Sequence, residues 1–165
     1  MIKNKIKQKG SSFIEIILYM AIFSMLLVIL LQMFTSIIDI QLESQTRSSV
    51  LQDERFILQR LTFDIRRAQS INIPAAPGEQ GSTLQLVIDG INYTYSLDGN
   101  DLTLNNNLGT DSINSSETAV SSINFTRLGE ASGKNSLQAL FTLTSNAKRR
   151  SGPEQEVFSA TIGTR

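Results

Sequence analysis

The 165-residue chain contains no cysteine and no histidine. The first absence rules out a disulfide framework and thiolate chemistry. The second removes the side chain most often used as a general base near neutral pH, which is also the commonest metal ligand. A basic face is missing too. Lys3, Lys5, Lys7 and Lys9 crowd the first ten residues, which hold no acid, and this leaves eleven basic against fifteen acidic side chains over 11–165. A nucleic-acid-binding body carries the opposite balance, so no nucleic-acid partner is expected. There is no glycine-rich phosphate loop, and the neighbouring acids Asp53 and Glu54 diverge on a helix rather than share a pocket. No catalytic residue, cofactor or metal site is therefore expected. Between Ser11 and Ile73 there is no glycine and no proline, so nothing in that stretch breaks a helix.

What is present is concentrated at the start. After Gly10, Ser11 and Ser12 comes an apolar run, Phe13 to Leu31, whose only polar side chains are Glu15, Tyr19 and Ser24. About 19 residues approach the ~20 that a helix needs to cross hydrocarbon. Apolar character persists to Ile40 as Gln32, Thr35, Ser36 and Asp39 enter. The lysine flank lies before the span, so the positive-inside rule puts residues 1–9 in the cytoplasm and the body outside. A carboxylate within such a run is costly and reads as functional by default. The plain alternative for Glu15, near the end of the run, is that it snorkels to the headgroups.

Beyond Ile40 the pattern turns amphipathic. Val50, Ile57, Leu58, Leu61, Ile65 and Ala68 recur at helical spacing, with Glu54 interrupting the stripe, and Glu43–Arg47 and Arg60–Asp64 are spaced to pair weakly across one turn. One helix over about 12–69 is predicted. Residues 71–82, with two prolines and two glycines, read as a linker loop. A period of two then begins. Strands are predicted around 84–88, 91–97, 102–104, 121–128, 136–145 and 156–163, with turns at Asp89-Gly90 and Asp98-Gly99-Asn100 and a polar loop at 105–119. A hairpin turn accounts for the oxygens of residues 98–101 without a calcium ion, and Lys148, Arg149 and Arg150 read as a solvated loop. The expected fold is α+β: a long N-terminal helix, transmembrane in its first half, packed through its second half on a small antiparallel sheet of about six strands.

The stretch Lys9-Gly10-Ser11-Ser12-Phe13-Ile14-Glu15-Ile16-Ile17-Leu18 resembles the class III leader of type IV pilins and pseudopilins: a short basic leader ending in Gly, a cut there, and a Glu at the fifth mature position. Ser11 stands where the family usually has Phe or Met. The segments Tyr19 to Leu27 and Leu58 to Ala68 are similar to those of minor pilins and J-class minor pseudopilins of type II secretion systems, and the pattern from Ile123 onward fits that group's strand–loop–strand ending. The resemblance implies a pilin-like fold with a leader over 1–10, a transmembrane and filament-core helix over 11–40, its amphipathic continuation over 41–70, the linker over 71–82 and a β domain over 83–165. It implies cleavage between Gly10 and Ser11, an N-terminus at Ser11 open to N-methylation, and an assembly role for Glu15 opposite the freed amine of a neighbour. The implied partners are the prepilin peptidase, other minor and major pilins or pseudopilins, the inner-membrane assembly platform and the lipid bilayer. The implied location is the inner membrane, then a surface or periplasmic filament, with minor subunits of this type at the tip. The rival reading is a single-span, signal-anchored extracytoplasmic binding protein that never polymerises. Pilus, secretion piston and DNA-uptake machine all remain open.

Overall fold

The computed structural model describes residues 13–129, 135–147, 149 and 152–164. Helix α1 spans Phe13–Arg67. The chain divides into two compact units with the boundary between Gln41 and Leu42, inside α1.

In the first unit α1 is apolar all round. None of its most apolar stretch is buried, and it is long and apolar enough to cross a membrane. Two of its hydroxyls are satisfied by the helix itself. Ser24 Oγ donates to the Ala21 carbonyl at 2.9 Å, and Thr35 Oγ1 to that of Gln32 at 2.9 Å. Hydroxyls folded back in this way expose no free donor to hydrocarbon.

The second unit is α+β. Thr46, Val50, Asp53, Ile57, Leu61, Asp64 and Ile65 form the buried face of the helix. That stripe agrees with the periodicity except where Asp53, rather than a gap at Glu54, fills the break. Among the described residues nine strands follow: β1 (Ser70–Ile73), β2 (Gln80–Gly81), β3 (Leu84–Ile88), β4 (Ile91–Asp98), β5 (Asp101–Asn106), β6 (Gly109–Ser112), β7 (Thr118–Leu128), β8 (Ser136–Ser145) and β9 (Gln155–Gly163). They form two antiparallel sheets, in the orders β1-β3-β4-β5-β6 and β2-β7-β8-β9, where one sheet was expected. Leu84, Leu86 and Tyr95 from the first sheet and Phe125, Leu137 and Phe141 from the second share one core with Val50, Ile57, Leu61 and Ile65 of the helix.

The hairpin turns follow their sequence. Asp89 and Gly90 both take positive φ (51° and 77°), as a two-residue primed turn requires, and Gly99 (φ 62°) opens the β4–β5 turn.

The predicted linker differs most. Residues 70–73 pair with β3 and residues 80–81 with β7, so the segment joins both sheets. Arg127 of β7 holds it. Its Nη1 donates to the carbonyls of Ile71 (3.1 Å), Pro74 (3.2 Å) and Ala75 (2.6 Å), while Glu79 Oε2 accepts from the amides of Ala75 (2.7 Å) and Ala76 (2.9 Å). The 105–119 segment likewise contains β6 and the start of β7. These short strands carry no alternation of their own; a neighbour's backbone defines them.

Arg127→Ala is expected to lower stability by about 2 kcal/mol, since a charged donor serving three carbonyls is lost. Thermal unfolding of the full-length protein in detergent, followed by circular dichroism, checks this. Arg127→Lys should recover only part of the loss.

Candidate functional site

The acids of α1 are the groups most constrained by their surroundings. Glu15 is the third residue of the helix and carries the only formal charge from Phe13 to Ile38. The Tyr19 hydroxyl, one turn on, donates to Glu15 Oε1 at 3.0 Å. An ionisable side chain at the centre of a bilayer costs on the order of 3 kcal/mol. Were the helix in a membrane, the Tyr19 hydroxyl would lower that cost without neutralising the charge. Gly10 and Ser11, the expected cleavage and methylation positions, lie outside the described residues.

Two further acids sit on the buried face, three turns apart, and each binds one sheet. Asp53 Oδ2 accepts from the Ser115 amide (3.0 Å), from Ser115 Oγ (2.8 Å) and from the Thr118 hydroxyl at the start of β7. Asn114 reinforces this corner. Its Oδ1 accepts from the Leu102 amide (2.8 Å), and its Nδ2 donates to the Thr118 carbonyl (2.9 Å) and to Asp101 Oδ1 (3.1 Å).

Asp64 faces the other sheet. Its Oδ2 accepts from Arg60 Nε (2.9 Å) and from the Tyr95 hydroxyl of β4. The weak surface pair expected from Arg60–Asp64 spacing is thus partly interior, with Asp64 only 1% exposed. Burial of Tyr95, then its bond to the Asp64 carboxylate and the charge there, push the phenol far above its usual range. Arg60 is also raised: its partial burial acts downward, but the Tyr95 hydroxyl and the Asp64 charge outweigh it. Both groups keep their protons throughout the neutral range.

Elsewhere, the expected Glu43–Arg47 pair is replaced. Glu43 Oε1 lies 4.0 Å from Arg149 Nη1, while Arg149 Nη2 donates to Glu154 Oε2 at 2.6 Å. Arg149 is 10% exposed, which corrects its reading as part of a solvated loop; Lys148 and Arg150 lie outside the described residues. The outward face of the helix shows Phe56 and Phe63, with the Arg67 guanidinium 5.0 Å above the Phe63 ring.

Sequence reasoning picked out Glu15 but not its partner, although Tyr19 stands at the i,i+4 spacing that signals a contact. It also passed over Asp53, whose spacing from Val50 and Ile57 puts it on the buried stripe. Chemically these acids accept hydrogen bonds: Ser115 and Thr118 donate to Asp53, with no imidazole in the chain to activate either hydroxyl. No family model, curated protein or solved structure matches this chain.

Asp53→Ala should cost about 3 kcal/mol, because it strands three donors at once. The Tyr95 linkage has a definite sign. A phenol whose folded pKa is raised contributes stability that is complete below its unfolded value, about 10, and disappears as pH climbs toward the folded one. Stability of the wild type should therefore fall above about pH 10, and Tyr95→Phe should start lower and flatten that alkaline limb; urea titrations across the range measure both.

Proposed function

We propose that the chain is a minor pilin or pseudopilin: inserted in the membrane by α1, cut after Gly10, and built into a type IV pilus-like or type II secretion-like filament. The observation that carries this reading is the position of Glu15. It stands five residues after a glycine that closes a lysine-rich head, at the start of a helix whose apolar side chains have no cover within their own unit.

Each part has a physical role. Cleavage between Gly10 and Ser11 removes every lysine of the head and creates a cationic amine at Ser11. Glu15 is the only charge on the apolar stretch able to meet such an amine on a neighbouring subunit. Pairing offsets the cost of the carboxylate, and a helix shifted out of register forfeits it, so the pair selects one axial alignment. Exposed apolar side chains along residues 13–40 exchange lipid for neighbouring helices, a contact that repeats along a filament. The β domain rides outside. Its position at the tip, as an initiator, follows the likeness to minor subunits. Tyr19 holds Glu15 against its own helix until the amine arrives.

Mass spectrometry of membrane-extracted protein tests the cut. Co-expression with a prepilin peptidase should remove residues 1–10, and an unchanged mass in the presence of an active peptidase rules the reading out. Glu15→Ala should still insert into the membrane but be recovered in filaments at least tenfold less than wild type; sheared-filament immunoblots provide the number. Normal recovery would take Glu15 out of the mechanism.

A further inference from the structure

The two sheets have four edges, and three are blunted. Strand β1 carries a register break between Ile71 and Ile73 and runs into Pro74. Strand β2 is two residues long, and β6 is four residues with Asp111 in it. Short strands, bulges, prolines and charges are the usual means of stopping a sheet from growing. Strand β9 is neither short, bulged nor interrupted by proline, and its one charge is Glu156, at its second position. It is nine residues long, pairs with β8 in unbroken register from Gln155 to Gly163, and contains neither lysine, arginine nor proline. Among the described residues no strand lies on its other side.

The phase of its backbone is fixed at both ends. The Ser145 amide donates to the Glu154 carbonyl at 2.8 Å, and the Thr164 amide to that of Asn135 at 2.9 Å. With the unbroken register between them, even-numbered residues of β9 turn their N–H and C=O toward β8. The amides and carbonyls of Gln155, Val157, Ser159, Thr161 and Gly163 therefore face outward, an intact ladder awaiting a partner.

We infer that this ladder pairs with β9 of a second copy of the chain, antiparallel, about a two-fold axis at Ser159. The choice of a second copy rests on self-complementarity. Among the described residues no other open edge approaches nine residues, and centring on Ser159 pairs the strand over its whole length. That register sets Gln155 opposite Gly163, Val157 opposite Thr161 and Ser159 opposite itself, all with bonding groups that face each other. On the outer face it joins two β-branched side chains and covers Val157, which is 62% exposed. On the inner face it puts the large Phe158, packed on Phe141 with ring centroids 5.6 Å apart, against the small Ala160 of the second copy. Glu156, the only charged side chain of the strand, falls opposite Ile162, six residues or roughly 20 Å from its own counterpart, so no like charges meet.

The pairing is argued from the β domain alone and does not rest on the filament reading.

The cysteine-free chain offers a direct test. Full-length Ser159→Cys protein, in detergent and treated with a short bis-maleimide, should cross-link to a dimer. Val157→Cys and Thr161→Cys should each stay monomeric alone and link when mixed. Thr110→Cys, on β6, is the control. Cross-linking of Ser159→Cys no greater than the control, or equal linking at residues 157, 159 and 161, overturns the proposal. Ser159→Pro removes one outward amide and no inward one. It should keep the wild-type circular dichroism and shift the sedimenting species to monomer, and a folded variant that still dimerises also overturns it. If Ser159→Pro does not fold, the cysteine results decide.

Discussion

A carboxylate carried out of water must find donors where it goes. Glu15, on the apolar stretch of helix α1, accepts from the Tyr19 hydroxyl, and two acids buried against the sheets are met by hydroxyls too: Asp53 by Ser115 and Thr118, Asp64 by Tyr95. The last two dictate how the β domain is hung. Asp53 fixes the helix to the start of β7 in the four-stranded sheet, and Asp64 fixes it to β4 in the five-stranded one. Apolar burial between them supplies most of the driving force but little direction. The acids set the rotation and the axial position of the helix, because a shift of one residue would leave both without partners. Glu15 differs: among the described residues its hydrogen-bond donor is one neutral hydroxyl.

The strongly periodic parts of the fold were legible in the sequence. The helix, its stripe at Val50, Ile57, Leu61 and Ile65, and the six alternating strands follow from local spacing. So do the turns at Asp89-Gly90 and Gly99, whose positive φ values need little help from the rest of the molecule. What failed was what another part of the chain decides. Strands β1, β2 and β6 exist because β3, β7 and β5 supply backbone partners. The 71–82 segment looked like a linker because its order comes from Arg127, some fifty residues away. The count of sheets was missed for the same reason, since the pattern of a strand does not say which neighbours it takes.

The candidate site divides along the same line. Glu15 stood out because one charge in an apolar run is visible without any structure. Asp64 looked like half of a modest surface pair, since Arg60 at i−4 is evident in the sequence while Tyr95, 31 residues on, is not. Asp53 was judged beside Glu54, whereas the relevant comparison was with Val50 and Ile57 along the stripe. On this stripe the two carboxylates are tethers, while buried Thr46 bonds back to the Glu43 carbonyl of its own helix.

The twin tethers determine how the molecule bears load. Whatever pulls on the N-terminal end of the helix delivers its tension along it, and the buried carboxylates Asp53 and Asp64, 11 residues or about 16 Å apart along the axis, are two of the links that pass it to the sheets. Links arranged side by side share a force, and neither peels first while the apolar stripe between them stays shut. Arg127 of β7 also bonds the Ile71 carbonyl of β1, so strain entering one sheet spreads to the other. The β domain is thus slung from several points along the helix, from Glu43 and Ser49 to Asp64 and Arg67, rather than hung from one hinge.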